Sequence, residues 1–238
     1  MPAPAVIAAA DNLFALAELA PLLREELAGV PAIAARRPAG RALVVQASSA
    51  NRELPLDLRH LAALRLHAVC DRLDGDLECA PDALPFEDDA FQLVLVQHAG
   101  DVLGQCGELA AEGARVLVPG GVLLWCGLNP WSPWLAWLRW RSGEGVAPPR
   151  VSHVESMRRC LLRSGLVPGD VDRVGGCWPR RSAASSVAHN GLAAPLRGAW
   201  SITATKRREV LTPLRRRNPR ERIAINPSLA APSRRASA

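Results

Sequence analysis

His98 closes the apolar run FQLVLVQ at 91–97, and an imidazole held at a strand end can act as a general base near neutral pH. A histidine that simply packs at the strand terminus fits the same position, and residue type alone prefers that second reading. Asn129-Pro130-Trp131 follows another apolar run, GVLLWCG at 121–127. This places Asn129 and Trp131 at a strand's carboxyl end, where substrate-facing residues gather in open sheets. From Trp131 the indoles recur at 134, 137 and 140, a spacing that drifts around a helix and covers about half its circumference. Ser132 suits a cap and Pro133 a first helical residue, with Arg139 and Arg141 as a basic fringe. Such a helix can be a lid over an apolar substrate, a membrane-interface helix or plain packing; lid and packing are preferred. His60, His67, His153 and His189 show no metal-ligand spacing, so no metal site is expected.

The elements that must position these residues are legible as hydrophobic periodicity. Residues 8–29 carry Leu13, Leu16, Leu19, Leu23 and Leu27 at helical spacing, which predicts one amphipathic helix ended by Pro31. RALVVQA (41–47), RLHAVCD (65–71), DLECA (76–80), FQLVLVQ (91–97) and GVLLWCG (121–127) read as strands one to five. Residues 51–64 have weak helical periodicity broken by Pro55, and a helix is expected from the fourth strand to about residue 118. Ser152 and Glu155 form a capping box opening a helix that Gly165 closes. GDVDRVGG (169–176) and AWSITATKR (199–207) read as a closing strand pair around a mobile loop. Strands alternating with helices predict an α/β protein: a doubly wound, mostly parallel seven-stranded sheet with helices on both faces.

The chain has 238 residues and is 49% hydrophobic, enough for one full core with appendages. The expected organisation is a helical extension (1–34), a core domain (35–206) and a basic, disordered tail (207–238). Residues 206–238 hold ten Lys or Arg against two Glu, a local +8 where the whole chain is +6, so residues 1–205 sum to −2. A basic folded surface for nucleic acid is therefore excluded, and the high pI belongs to the tail. The tail could meet RNA or acidic lipid by counterion release, but a solvated tail is preferred. Six cysteines without a CxxC pair suggest free thiols in a reducing compartment. No signal peptide is read at MPAPAVIAAADN, no run is long enough to span a membrane, and a cytoplasmic protein is expected.

Three motifs carry a family resemblance. LPFEDDAF (84–91), RVLVPGG (115–121) and ITATKR (202–207) resemble, in order and spacing, segments of the class I S-adenosylmethionine-dependent methyltransferase superfamily, type 11-like. Gly127–Trp134, GLNPWSPW, is similar to the G-F-N-P-W-S-x-W segment of a bacterial subset. The resemblance implies a Rossmann-like fold, S-adenosylmethionine as cofactor, a small or apolar methyl acceptor, and a monomer or homodimer. It also implies a cofactor site: Gln46, Ala47 and Ser48 bordering the methionine end, Asp71 holding the ribose, and Asp82, Ala83 and Leu84 beside the adenine. His98 as catalytic base, with Asn129 and Trp131, would face the acceptor. In-line methyl transfer needs mainly positioning, so no base is compulsory.

The chain departs from the family where glycines allow a cofactor to approach the backbone. Those glycines fall on Gln46, Ser48 and Ala50, and the preceding acidic residue on Val44. Ser48 and Ser49 can offer hydroxyls to a carboxylate. The alternative is a catalytically inactive member that serves as a binding or scaffold module. Asn129-Pro130-Trp131 differs from the D/N-P-P-Y/W motif of amino-methylating enzymes, which follows strand four rather than five.

Overall fold

Leucine- and valine-rich runs bury on both faces in a computed structural model that describes residues 12–142, 146–178 and 194–207. In chain order the helices and strands are α1 (Ala20–Leu27), α2 (Val30–Ala35), β1 (Gly40–Gln46), β2 (Leu61–Val69), β3 (Arg72–Gly75) and β4 (Phe91–Gln97). Then come α3 (Ala99–Leu103), α4 (Cys106–Val116), β5 (Leu117–Leu128), α5 (Pro133–Arg141), α6 (Val154–Arg163), β6 (Leu166–Val174) and β7 (Ala199–Lys206). The seven strands form one sheet in the order β3-β2-β1-β4-β5-β7-β6. The pairs β2–β1, β1–β4 and β4–β5 are parallel. Both margins are antiparallel, through β2–β3 on one side and β5–β7–β6 on the other.

Two cores sandwich the sheet. On one face Ala42, Val44, Leu93, Leu95 and Leu124 meet Leu19, Leu23, Leu27 and Val30. On the other, Leu43, Val45, Val94, Val96 and Trp125 meet Leu109, Ala110, Met157 and Leu161 from α4 and α6. The expected extension, from Leu13 to Ala34, is thus drawn into the main core. Its single helix is also corrected. Two short 3-10 turns, Leu13–Ala15 and Ala17–Leu19, precede α1. Pro21 can stand only in a helix's first turn, so α1 begins at Ala20, and Pro31 opens α2 in the same way.

The first half of the sheet lacks crossover helices. Residues 51–64, expected as a helix, give a 3-10 turn at Ser49–Glu53 and then the start of β2. The third strand lies at 72–75, not 76–80, because a two-residue turn at Cys70–Asp71 folds it back on β2, with Val69 opposite Arg72. Cys70 takes the left-handed conformation that this turn needs (φ 54). Residues 76–80 only return alongside, through a bridge between Leu73 and Cys79.

The second half follows its pattern more closely. Gly104 at φ 72 splits the helix after β4 in two. β5 starts at Leu117, four residues earlier than expected, with Pro119-Gly120-Gly121 inside a register shift against β4. The capping box does not form: His153 is the residue before α6, no side chain caps that helix, and Ser152 Oγ lies 3.5 Å from Cys106 Sγ. Gly165 does close α6, at φ 80. At the outer margin β6 carries Pro168 and an irregularity before Val171. The loop expected between β6 and β7, and the basic tail beyond Arg207, lie largely outside the described residues. No helix among the described residues is long and apolar enough to cross a membrane.

Leu19 is completely buried beneath the sheet. Leu19→Ala should lower unfolding free energy by about 2–5 kcal/mol, read from chemical denaturation. A loss within error would mean that the N-terminal segments are dispensable to the core.

Candidate functional site

The strand order reverses between β1 and β4, so the place for a ligand is beyond their carboxyl ends. Gln46 ends β1 and Gln97 ends β4, both with side chains on the face covered by α1. Gln46 Nε2 donates to Gln97 Oε1 and to the Asn51 carbonyl, each at 3.1 Å. Gln97 Nε2 in turn donates to the Leu23 carbonyl and to Glu26 Oε2, each at 2.9 Å. Ser48 is 1% exposed, and its hydroxyl accepts from the Ala50 amide at 3.3 Å, capping the short turn behind it.

His98 stands next to this chain of amides, completely buried. Its Nδ1 lies 2.8 Å from Asp101 Oδ2 and its Nε2 2.7 Å from Glu26 Oε1. Carboxylate oxygens only accept, so both ring nitrogens donate and the ring is an imidazolium. Phe14 stacks on it at 4.8 Å between centroids. The backbone of His98 is left-handed (φ 56), a cost to any residue with a Cβ that persists only where surroundings dictate it. Asp101 Oδ2 also accepts from the Leu128 amide at 2.9 Å, tying in the end of β5.

Burial is the strongest single influence on His98 and favours the neutral ring. The charges and hydrogen bonds of Glu26 and Asp101 together outweigh it, raising the pKa from 6.5 to about 10. For Asp101, burial raises the carboxyl above its usual range, against the hydrogen bonds from His98 and the Leu128 amide that hold it down. With one oxygen accepting two N–H donors, the ionised form is the one this geometry serves.

The sequence-proposed residues therefore part company. Gln46, Ala47 and Ser48 are buried, and the Ala47 carbonyl accepts from the Asn12 amide side chain. With Phe14, Leu23 and Glu26, Asn12 roofs the crevice. The methionine end of S-adenosylmethionine does not fit this arrangement, because side chains and roof take the space that glycines would leave. His98 faces two carboxylates rather than an acceptor. Asn129 is also enclosed: its Nδ2 donates to the Pro195 and Arg197 carbonyls at 2.7 and 2.8 Å, and its Oδ1 accepts from the Trp131 amide. It clamps the end of β5 to the approach to β7. Trp131 points outward.

Asp82 and Ala83 are exposed in a turn, while Leu84 is buried with its amide on Glu112 and its carbonyl on Arg115. Asp71 alone among the proposed residues lines a cavity of about 430 Å³, with Phe14, Ala68, Val102, Pro149 and Arg150 on its walls. Residue types did not reveal Glu26, Gln97 and Asp101. The legible signals were a glutamine in an inward position of β4 and the three-residue spacing of His98 and Asp101.

No family model matches the chain, and no curated protein matches it. Solved structures do. A possible histamine N-methyltransferase of Thermotoga maritima, S-adenosylmethionine-dependent, covers 82% of this chain and 98% of its own, at 15% identity and a TM-score of 0.51. The chain has the class I methyltransferase fold. A second structure, an S-adenosylmethionine-dependent methyltransferase of Mesorhizobium loti, covers 75% of this chain and 97% of its own, at 15% identity and TM-score 0.44.

A folded pKa above the unfolded one means that His98 contributes full stability below pH 6.5 and loses it as pH rises toward 10. Half-buried Cys106 and Cys160 and buried Cys126 also have raised pKa values, but unfolded thiols ionise only from about pH 8.5. The thermal midpoint should therefore fall between pH 6.5 and about 8.5, and His98→Gln should lower it throughout that range by leaving Glu26 and Asp101 buried without their cation. A flat wild-type profile would refute the charged triad. Asn129→Ala should cost about 1–3 kcal/mol in denaturant unfolding, from two orphaned carbonyls and one amide.

Proposed function

We propose that this chain is a methyltransferase-fold binding module that takes a small ligand beside Asp71 and does not transfer methyl groups. The supporting observation is the buried Gln46–Gln97–Glu26–His98–Asp101 network beneath the N-terminal segment, at the carboxyl ends of β1 and β4. The fold is compatible with either activity or silence, because function resides in the site and not the scaffold. GLNPWSPW after β5 supports the type 11-like bacterial subset, and six free cysteines support a cytoplasmic setting.

A second reading, an S-adenosylmethionine-dependent methyltransferase of a small or apolar acceptor, is favoured by Asp71 alone. Its carboxylate is exposed on the wall of a cavity of about 430 Å³, where ribose hydroxyls could meet it. Titration calorimetry with S-adenosylmethionine and its demethylated product separates the two. The binding-module reading expects no heat at millimolar ligand with the folded chain. Measurable binding that Asp71→Ala weakens by about 1–3 kcal/mol would overturn the exclusion of S-adenosylmethionine, and methyl transfer to an added acceptor would then establish the second reading.

A further inference from the structure

Three of the chain's seven tryptophans lie on the surface. Trp131 is 71% exposed, Trp140 72% and Trp178 56%. Trp140 and Trp178 are brought together beside α5, which Ser132 caps by accepting from the Trp134 amide at 3.2 Å, while Trp131 precedes the helix and lies 6.3 Å from the His153 ring. The inward side of α5 is fully used: Trp134, Leu135 and Leu138 are buried, and Trp134 Nε1 donates to the Gly176 carbonyl at 2.8 Å. Trp137 stands edge-on to Trp134 at 6.1 Å. With Trp140, Trp178 and Pro133 it lines an apolar depression of about 430 Å³. None of these indoles lines the cavity beside Asp71, so α5 is not a lid over it.

We infer that this tryptophan face docks on an anionic phospholipid surface. Indoles combine an apolar body with a polar N–H, which suits the headgroup boundary better than bulk water or hydrocarbon. Among the described residues, one unpaired positive charge on α5, together with the sequence charge of the chain's end, supplies the matching sign. Arg139 is exposed on α5, while Arg141 lies 5.6 Å from the Trp137 ring and 3.4 Å from Glu18, which it neutralises. Residues 206–238 add a sequence charge of +8 in a chain otherwise near neutral, and each basic residue close to an anionic leaflet adds attraction. A shallow aromatic face with basic support is the pattern of a protein that lies on a bilayer, not through it.

Co-sedimentation of the full chain with vesicles tests this. One set is pure phosphatidylcholine and the other contains about one-third phosphatidylglycerol. The wild type should sediment with the anionic vesicles only, and its indole emission should shift to shorter wavelength. A Trp140→Ala, Trp178→Ala variant, its fold checked by circular dichroism, should lose about tenfold in partitioning. Failure to sediment with anionic vesicles overturns the inference. So does undiminished partitioning of the double variant, which would assign binding to the basic segment alone. Self-association abolished in that variant without vesicle binding would name a second copy as the occupant, and also overturns it.

Discussion

A protonated imidazole enclosed by two carboxylates joins four parts of this molecule that the chain keeps far apart. Glu26 comes from α1, His98 from the end of β4, Asp101 from α3, and Asp101 also holds the amide that ends β5. Removing one member leaves an uncompensated charge in the interior, which is far more costly than never having built the cluster. The left-handed backbone at His98 is tolerable because both ring nitrogens and the stacked Phe14 leave the ring one position. Gln97 extends the hold, since Glu26 meets the imidazole with one oxygen and the amide with the other.

This cluster exists because the first half of the sheet is thinly covered. No α-helix connects β1 to β2, and only a two-residue turn connects β2 to β3. The exposed face of Val44 and Leu95 is closed instead by α1 and α2. A roof supplied from the N-terminus necessarily crosses the ends of β1 and β4. There it meets the polar ends of two strands, and every donor and acceptor among them has to be matched. Gln46 joins that match through Gln97, which donates to the roof at Leu23 and Glu26, so the closed crevice and the roof form one arrangement.

The second half of the fold was readable in the sequence; in the first half RALVVQA was legible as β1 and part of β2 was found, but the turn after β2 and the breaks in the N-terminal helix were not. FQLVLVQ and GVLLWCG are continuous apolar runs of the kind that only a strand buried on both faces requires, and they appear as β4 and β5. RLHAVCD contained a turn signal that residue type conceals, because Cys70 takes a positive φ without being glycine or asparagine. The leucine spacing of residues 8–29 indicated burial correctly but not continuity, since Pro21 restarts the helix. For the site, Asp71 keeps access to a cavity, whereas Gln46, His98 and Asn129 were named for their positions at strand ends. Position does not reveal the partner: the amides and carboxylates that enclose them come from residues as far as 72 apart in the chain.

The margins of the sheet carry a consequence of their own. One outer strand, β3, has four residues, and the other, β6, is interrupted by Pro168 and a register shift before Val171. Among the described residues, β3 is short and β6 irregular, so neither margin offers a long, regular row of free amides to a strand from a neighbouring molecule. The chain can present a concentrated aromatic surface and still resist growing into fibrils by strand addition.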